Sequence, residues 1–196
     1  MLPFAVFGNE VLCDLEWSSA AQNIQLNRWV KSGQLVRLKR GLYTLPSHYQ
    51  KQKFSHLWLA NTLYSPSYLS LEYVLSMHDL IPERVEMFTS VSLNKTALFT
   101  NKLGRFQYRK VKKNLFFGFE ERLDENNFSC LVALPEKALL DLVYLTSNWQ
   151  PTKDYLLQNI RLQQFDQFKK KRLVEYSKKF NCKKIDLTVN VLLKMY

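Results

Sequence analysis

The sequence predicts an α+β chain: a small N-terminal helix-and-hairpin unit, then a mixed α/β domain with an antiparallel sheet and C-terminal helices. Three observations predict it. The apolar period switches from helical to alternating between Asn27 and Thr44. Several short alternating segments follow between positions 85 and 134, and beyond about position 152 the pattern is helical again. At 196 residues, 46% hydrophobic and 14% aromatic, the chain can bury a proper core in one large domain or two small ones.

Taken in order, Asn9 is a candidate cap for a short helix "EVLCDLEW", with Glu10 in the first turn, where the helix dipole favours an anion. "SSAAQNIQLNRWVKSG" reads as the next helix, capped by Ser18 or Ser19 and stopped by Gly33. Leu26, Trp29 and Val30 fall on one side, while Ala21, Gln25, Arg28 and Ser32 fall on the opposite side. In "LVRLKRGLYTL" the period is two: Val36 and Leu38 share the face expected to close the small core, and Arg37 and Lys39 share the other. Gly41 takes the turn, where positive φ is cheap for glycine. A helix, a glycine stop and a basic hairpin have the sequence shape of a winged helix-turn-helix, expected over residues 1–48.

"TLPSHYQKQK" reads as a linker around 46–53, and a second domain is expected over 54–196. "FSHLWLANTLY" is helix-like, and "SPSYLSLEYVLSMHDLIP" reads as a helix starting after Pro66, with Ser67 as its cap. "VEMFTSVSL", "ALFT", "LGRFQYRKV", "NLFFGF" and "FSCLVAL" read as strands, with a turn at Asn101–Gly104 and a solvated acidic loop at "EERLDE". "LPEKALLDLVYL" begins with Pro135 in its first turn and is apolar most of the way round, so it should be central and buried. Thr152 to Tyr196 reads as two or three helices, basic at "FKKKRLVEYSKK".

Charge placement points to a partner. The net charge is +11 and the pI near 9.6, a balance that favours polyanions. From Trp17 through Leu71 there is no Asp or Glu, yet Arg28, Lys31, Arg37, Lys39, Arg40, Lys51 and Lys53 are all present. A solvated face mixes signs; this one does not. Gln25 suits an adenine edge, Arg28 a guanine or a phosphate, and the Arg37/Lys39/Arg40 cluster the duplex backbone. Double-stranded DNA is therefore the expected partner. A winged helix that docks a protein, and an enzyme acting on nucleic acid, are the competing readings.

Enzyme chemistry finds little support. The five glycines are too dispersed for a phosphate-cradling loop, and the three histidines stand apart from the cysteines. No lysine has Asp or Glu two places before it, as the common metal-dependent nucleases require. No catalytic residue, metal ligand or cofactor is predicted. Phe116, Phe117, Phe119 and Phe128 read as core in preference to a base-stacking platform. Cys13, Cys130 and Cys182 are odd in number and widely spaced, which fits a reducing compartment. With no signal-like N-terminus and no long apolar run, a cytoplasmic protein without a membrane partner is expected.

Three segments, "LNRWVKSGQLVRLKRGLYTLP", "SPSYLSLEYVLSMHDLIPE" and "VALPEKALLDLVYL", together resemble the AbiEi-type antitoxins of bacterial type IV toxin–antitoxin and abortive-infection systems. The resemblance runs from about Phe7 to Leu145. It implies an N-terminal winged helix that binds inverted repeats in its own promoter and represses transcription. It further implies a C-terminal domain that counters a nucleotidyltransferase-like toxin from the adjacent gene. The DNA role would fall on Gln25, Arg28 and Lys31 of the helix and on Arg37, Lys39 and Arg40 of the wing.

Overall fold

In the computed structural model, residues 6–12, 18–50 and 53–195 are described. The predicted "EVLCDLEW" helix is a 3-10 turn, Asn9–Leu12, as far as the described residues reach; its remainder, with Cys13, lies outside them. Helix α1 spans Ser19–Lys31. The Ser18 hydroxyl accepts from the Ala21 amide at 3.3 Å and satisfies a donor that the helix cannot. At the far end Gly33, with φ +77°, turns the chain back, and the Gln34 and Leu35 amides both donate to the Trp29 carbonyl. Strands β2, Val36–Lys39, and β3, Leu42–Thr44, form the expected hairpin. A strand not foreseen, β1 at Val6–Gly8, pairs with the free edge of β3 and completes an antiparallel sheet in the order β1-β3-β2.

The chain then enters a three-layer α/β/α unit. Helix α2, His56–Leu63, is capped by Ser55. The segment expected to begin a helix at Ser67 is instead strand β4, Ser67–Leu69, and helix α3 follows at Leu71–Met77. Serine caps well only where its hydroxyl meets free amides; here Ser67 is buried between two paired strands. Next come β5 (Phe88–Ser92), β6 (Ala97–Asn101) and β7 (Gly104–Lys110). β8 (Phe119–Leu123) and β9 (Ser129–Ala133) precede α4 (Pro135–Leu145). The six strands run in the order β6-β7-β5-β4-β9-β8.

The sheet is mixed, not antiparallel as expected: β5 pairs with β7, and β4 with β9, in parallel. β7 carries the fully buried Phe106 and Tyr108, whereas β6 has no fully buried side chain. The strand that carries these two buried rings takes the inner place beside β5, and the hairpin closes with its first strand outermost. The expected "NLFFGF" strand is a 3-10 turn, Lys113–Leu115, and the acidic stretch expected as a loop forms most of β8. An edge strand with one side open to water tolerates the exposed Glu120 and Glu121. The phenylalanines serve the core: Phe116 packs on Tyr68 and Phe119, Phe117 on Tyr176 and Phe180, and Phe128 on Trp58.

Facing side chains assign the layers. Tyr108 donates to the Ala60 carbonyl of α2 on one face, while Tyr68 reaches Asp141 of α4 on the other. After α4 the chain makes a π-helical turn, Tyr155–Asn159, then helices α5, Lys170–Phe180, and α6, Lys183–Leu193. Glu136, nearly sealed on α4, accepts from the Lys169 amide at 2.8 Å and pairs with Arg172 at 3.3 Å, which pins the start of α5. No helix among the described residues is long and apolar enough to cross a membrane.

Helix α4 is central, as its pattern predicts, but its polar residues are buried too. Lys137 and Asp141, one turn apart, are fully enclosed and form an ion pair. The Lys137 ammonium also donates to Tyr68 Oη at 2.8 Å, and Tyr68 and Ser70 each donate to Asp141 Oδ2 at 2.9 Å. Around the ammonium stand the rings of Phe180, Phe117 and Tyr68, at 4.8, 5.0 and 5.3 Å. Burial lowers the Lys137 pKa and raises that of Asp141, and their mutual attraction opposes both shifts.

Asp141→Ala should therefore leave a buried cation without its counter-ion and cost about 3–5 kcal/mol of stability in urea unfolding. Lys137→Met combined with Asp141→Leu should cost far less than either single loss.

Candidate nucleic-acid interface

Helix α1 buries Leu26 fully and Trp29 and Val30 partly, against Leu35, Tyr43, Phe7 and Leu45. Apolar residues at these spacings fix which side of the helix turns outward. Ala20, Asn23, Ile24, Asn27, Arg28 and Lys31 are exposed, and Gln25 lies half-buried at the flank. Arg28 and Lys31 stand in the last turn, where the helix dipole favours cations. The dipole alone could account for these two, but it does not extend to the hairpin.

On the hairpin the alternation breaks. Arg37 lies opposite Tyr43, but Lys39 lies opposite Leu42, so Leu38 is an extra residue in β2. Directly opposed residues share a face. Arg37 thus stands on the α1 side with Tyr43, and it is exposed. Leu38 is buried in the core of the larger unit, not in the small core that the Val36/Leu38 face was expected to close. Lys39 follows it inward. Its ammonium donates to the Leu63 carbonyl at the end of α2, at 2.7 Å, and lies 5.8 Å from the Phe99 ring and 6.0 Å from that of Tyr64. Burial lowers its pKa below the ordinary lysine value.

Beside this contact Asn101 Nδ2, on β6, donates to the Leu38 carbonyl at 3.1 Å. The hairpin is thereby held on the α/β/α unit by one side chain from each partner. Lys39 is not the outward wing cation that simple alternation predicts. Arg40 is exposed at the tip, where Gly41 takes φ +76°.

The predicted set therefore divides. Arg28, Lys31, Arg37 and Arg40 are exposed, and among the described residues none of them forms an ion pair. Gln25 is half-shielded, and Lys39 serves the junction. Sequence reasoning missed Asn101 and the bulge, because both depend on strand partners that are remote or have no residue signature. Among the described residues no group of His, Cys, Asp and Glu is placed to hold a metal ion.

No curated protein matches the chain. A family comparison gives a match confined to the N-terminal unit; the segments around Tyr68 and Leu139 that also carry the resemblance lie outside it. Residues 15–46, the stretch holding α1 and the basic hairpin, match the family described as transcriptional regulator, AbiEi antitoxin.

Proposed function

We propose that the chain is a DNA-binding transcriptional autorepressor and the antitoxin of a type IV toxin–antitoxin system, without enzymatic activity of its own. The observation that carries this reading is the exposed cation set of Arg28, Lys31, Arg37 and Arg40, none of them in an ion pair among the described residues, on an N-terminal unit matching a regulator family. Like charges gathered on one exposed surface repel one another, and a polyanion relieves that cost. In the proposed complex α1 enters the major groove of promoter inverted repeats, as the recognition helix of a winged helix-turn-helix, and Arg37 and Arg40 meet flanking phosphates. Lys39 takes no phosphate; it holds the hairpin in place. The α/β/α unit would carry protection against a nucleotidyltransferase-like toxin from the adjacent gene.

Mobility shifts on the protein's own promoter fragment should show log affinity falling with log salt at a slope of about −3.6 for four neutralised phosphates per chain. Arg37→Ala and Arg40→Ala should each weaken binding to every sequence and flatten the slope by about one unit. Lys39→Met should leave the slope unchanged. Affinity indifferent to salt and to both arginines defeats the DNA reading.

The antitoxin half is tested in cells that express the neighbouring gene. Full-length protein carrying Arg37→Ala and Arg40→Ala should restore growth as the unaltered chain does, while failing to repress a promoter reporter. Failure of the unaltered chain to protect would exclude the antitoxin role.

A further inference from the structure

The exposed side of α1 is broader than the face that sequence alone selects: Ala21, Arg28 and Ser32 of that face are exposed, and a second line of exposed residues runs beside them. The line through Ala20, Ile24, Asn27 and Lys31 stands opposite Leu26 and Trp29, whereas Gln25 lies at the border of the buried side. Ile24 is the anomaly on that ridge: a large aliphatic side chain, 55% exposed, with only small or polar residues beside it on the helix. The ridge is also graded in charge. Its first half, Ala20, Asn23, Ile24 and Asn27, is uncharged, and its cations are confined to the last turn.

We propose that Ile24 and Asn27 are the base-reading residues of α1 and that together they recognise adenine–thymine pairs in the major groove. This rests on the duplex-DNA reading above and names the specificity residues of that site. The chemistry follows from the groove. Thymine presents the only methyl group on its floor, and an exposed aliphatic side chain covers it favourably. Adenine presents an acceptor and a donor side by side, and a side-chain amide matches both. Three residues apart on a helix, Ile24 and Asn27 are neighbours on one side and address the same or adjacent base pairs. Ala20 is small enough to let the first half of the helix approach closely. The cations of the last turn then fall towards the backbone, whose charge they complement. Gln25, half-buried at the flank, supports the helix and does not reach the groove floor.

The full chain would select binding duplexes from a randomised pool, and each dT of the selected duplex would then be replaced by dU, which removes the methyl alone. At one position this should weaken the unaltered protein about 4-fold, the worth of one buried methyl. Ile24→Ala should bind the dT and dU duplexes alike. Asn27→Ala should lose about tenfold or more of the preference for adenine at one position, whereas Gln25→Ala should keep it. Indifference of the unaltered protein to every dU overturns the assignment. So does loss of the adenine preference in Gln25→Ala with Asn27→Ala unchanged. In both cases a salt-dependent affinity that falls with Arg37→Ala leaves the repressor reading standing. A pool without a consensus, bound with no dependence on salt, removes both.

Discussion

The three-stranded sheet at the N-terminus is covered on both faces, and one extra residue in β2 makes this arrangement work. Without the bulge at Leu38, strict alternation would hold Leu38 and Lys39 on opposite faces. One of them would then lose its place against the larger unit. With it, a leucine enters the large core and the next residue reaches the Leu63 carbonyl, while Arg37 stays on the α1 side. The hairpin becomes part of the scaffold on one side, and on the α1 side it keeps Arg37 exposed. A cation set on a tethered hairpin loses less freedom on meeting a rigid partner than one on a loose loop.

The α/β/α unit depends on a second constraint of a different kind. Helix α4 is packed on every side by β9, α3, α5 and α6, so its polar side chains cannot reach water. They are satisfied internally. Glu136 holds the start of α5, while Lys137, Asp141, Tyr68 and Ser70 bond to one another between α4 and the end of β4. Such a network is strong only when complete, because a charge left alone in this setting has no solvent to turn to. It also orients α4 about its axis, since a small rotation would break several bonds together. Apolar packing alone is less directional.

Local signals gave α1 its start at Ser18 and its stop at Gly33, because a cap and a positive-φ turn act over a few residues. The β6–β7 hairpin was equally legible, with its turn at Asn101–Gly104 and alternating buried rings at Phe106 and Tyr108. Ser67 misled for an instructive reason. A serine after a proline looks like a helix cap, yet Ser67–Leu69 has partner strands on both sides, and these come from positions 90–92 and from Val132. The acidic β8 was hidden likewise, since its pairing with β9 outweighs the polar character of its side chains.

For the candidate interface, the sequence by itself determined the kind of surface: a helix and a hairpin, rich in arginine and lysine and free of acids from Trp17 to Leu71. That much depends on composition and on local periodicity. Only the tertiary structure decided which cations stay outside. Lys39 is withdrawn by a carbonyl 24 positions away, and Gln25 is half-shielded where α1 meets its neighbours. Ile24 is left on the outer ridge for the same reason, because the rotation of α1 follows from what Leu26 and Trp29 pack against. A side chain's direction depends on contacts with distant residues, and the spacing of its own neighbours along the chain does not contain them.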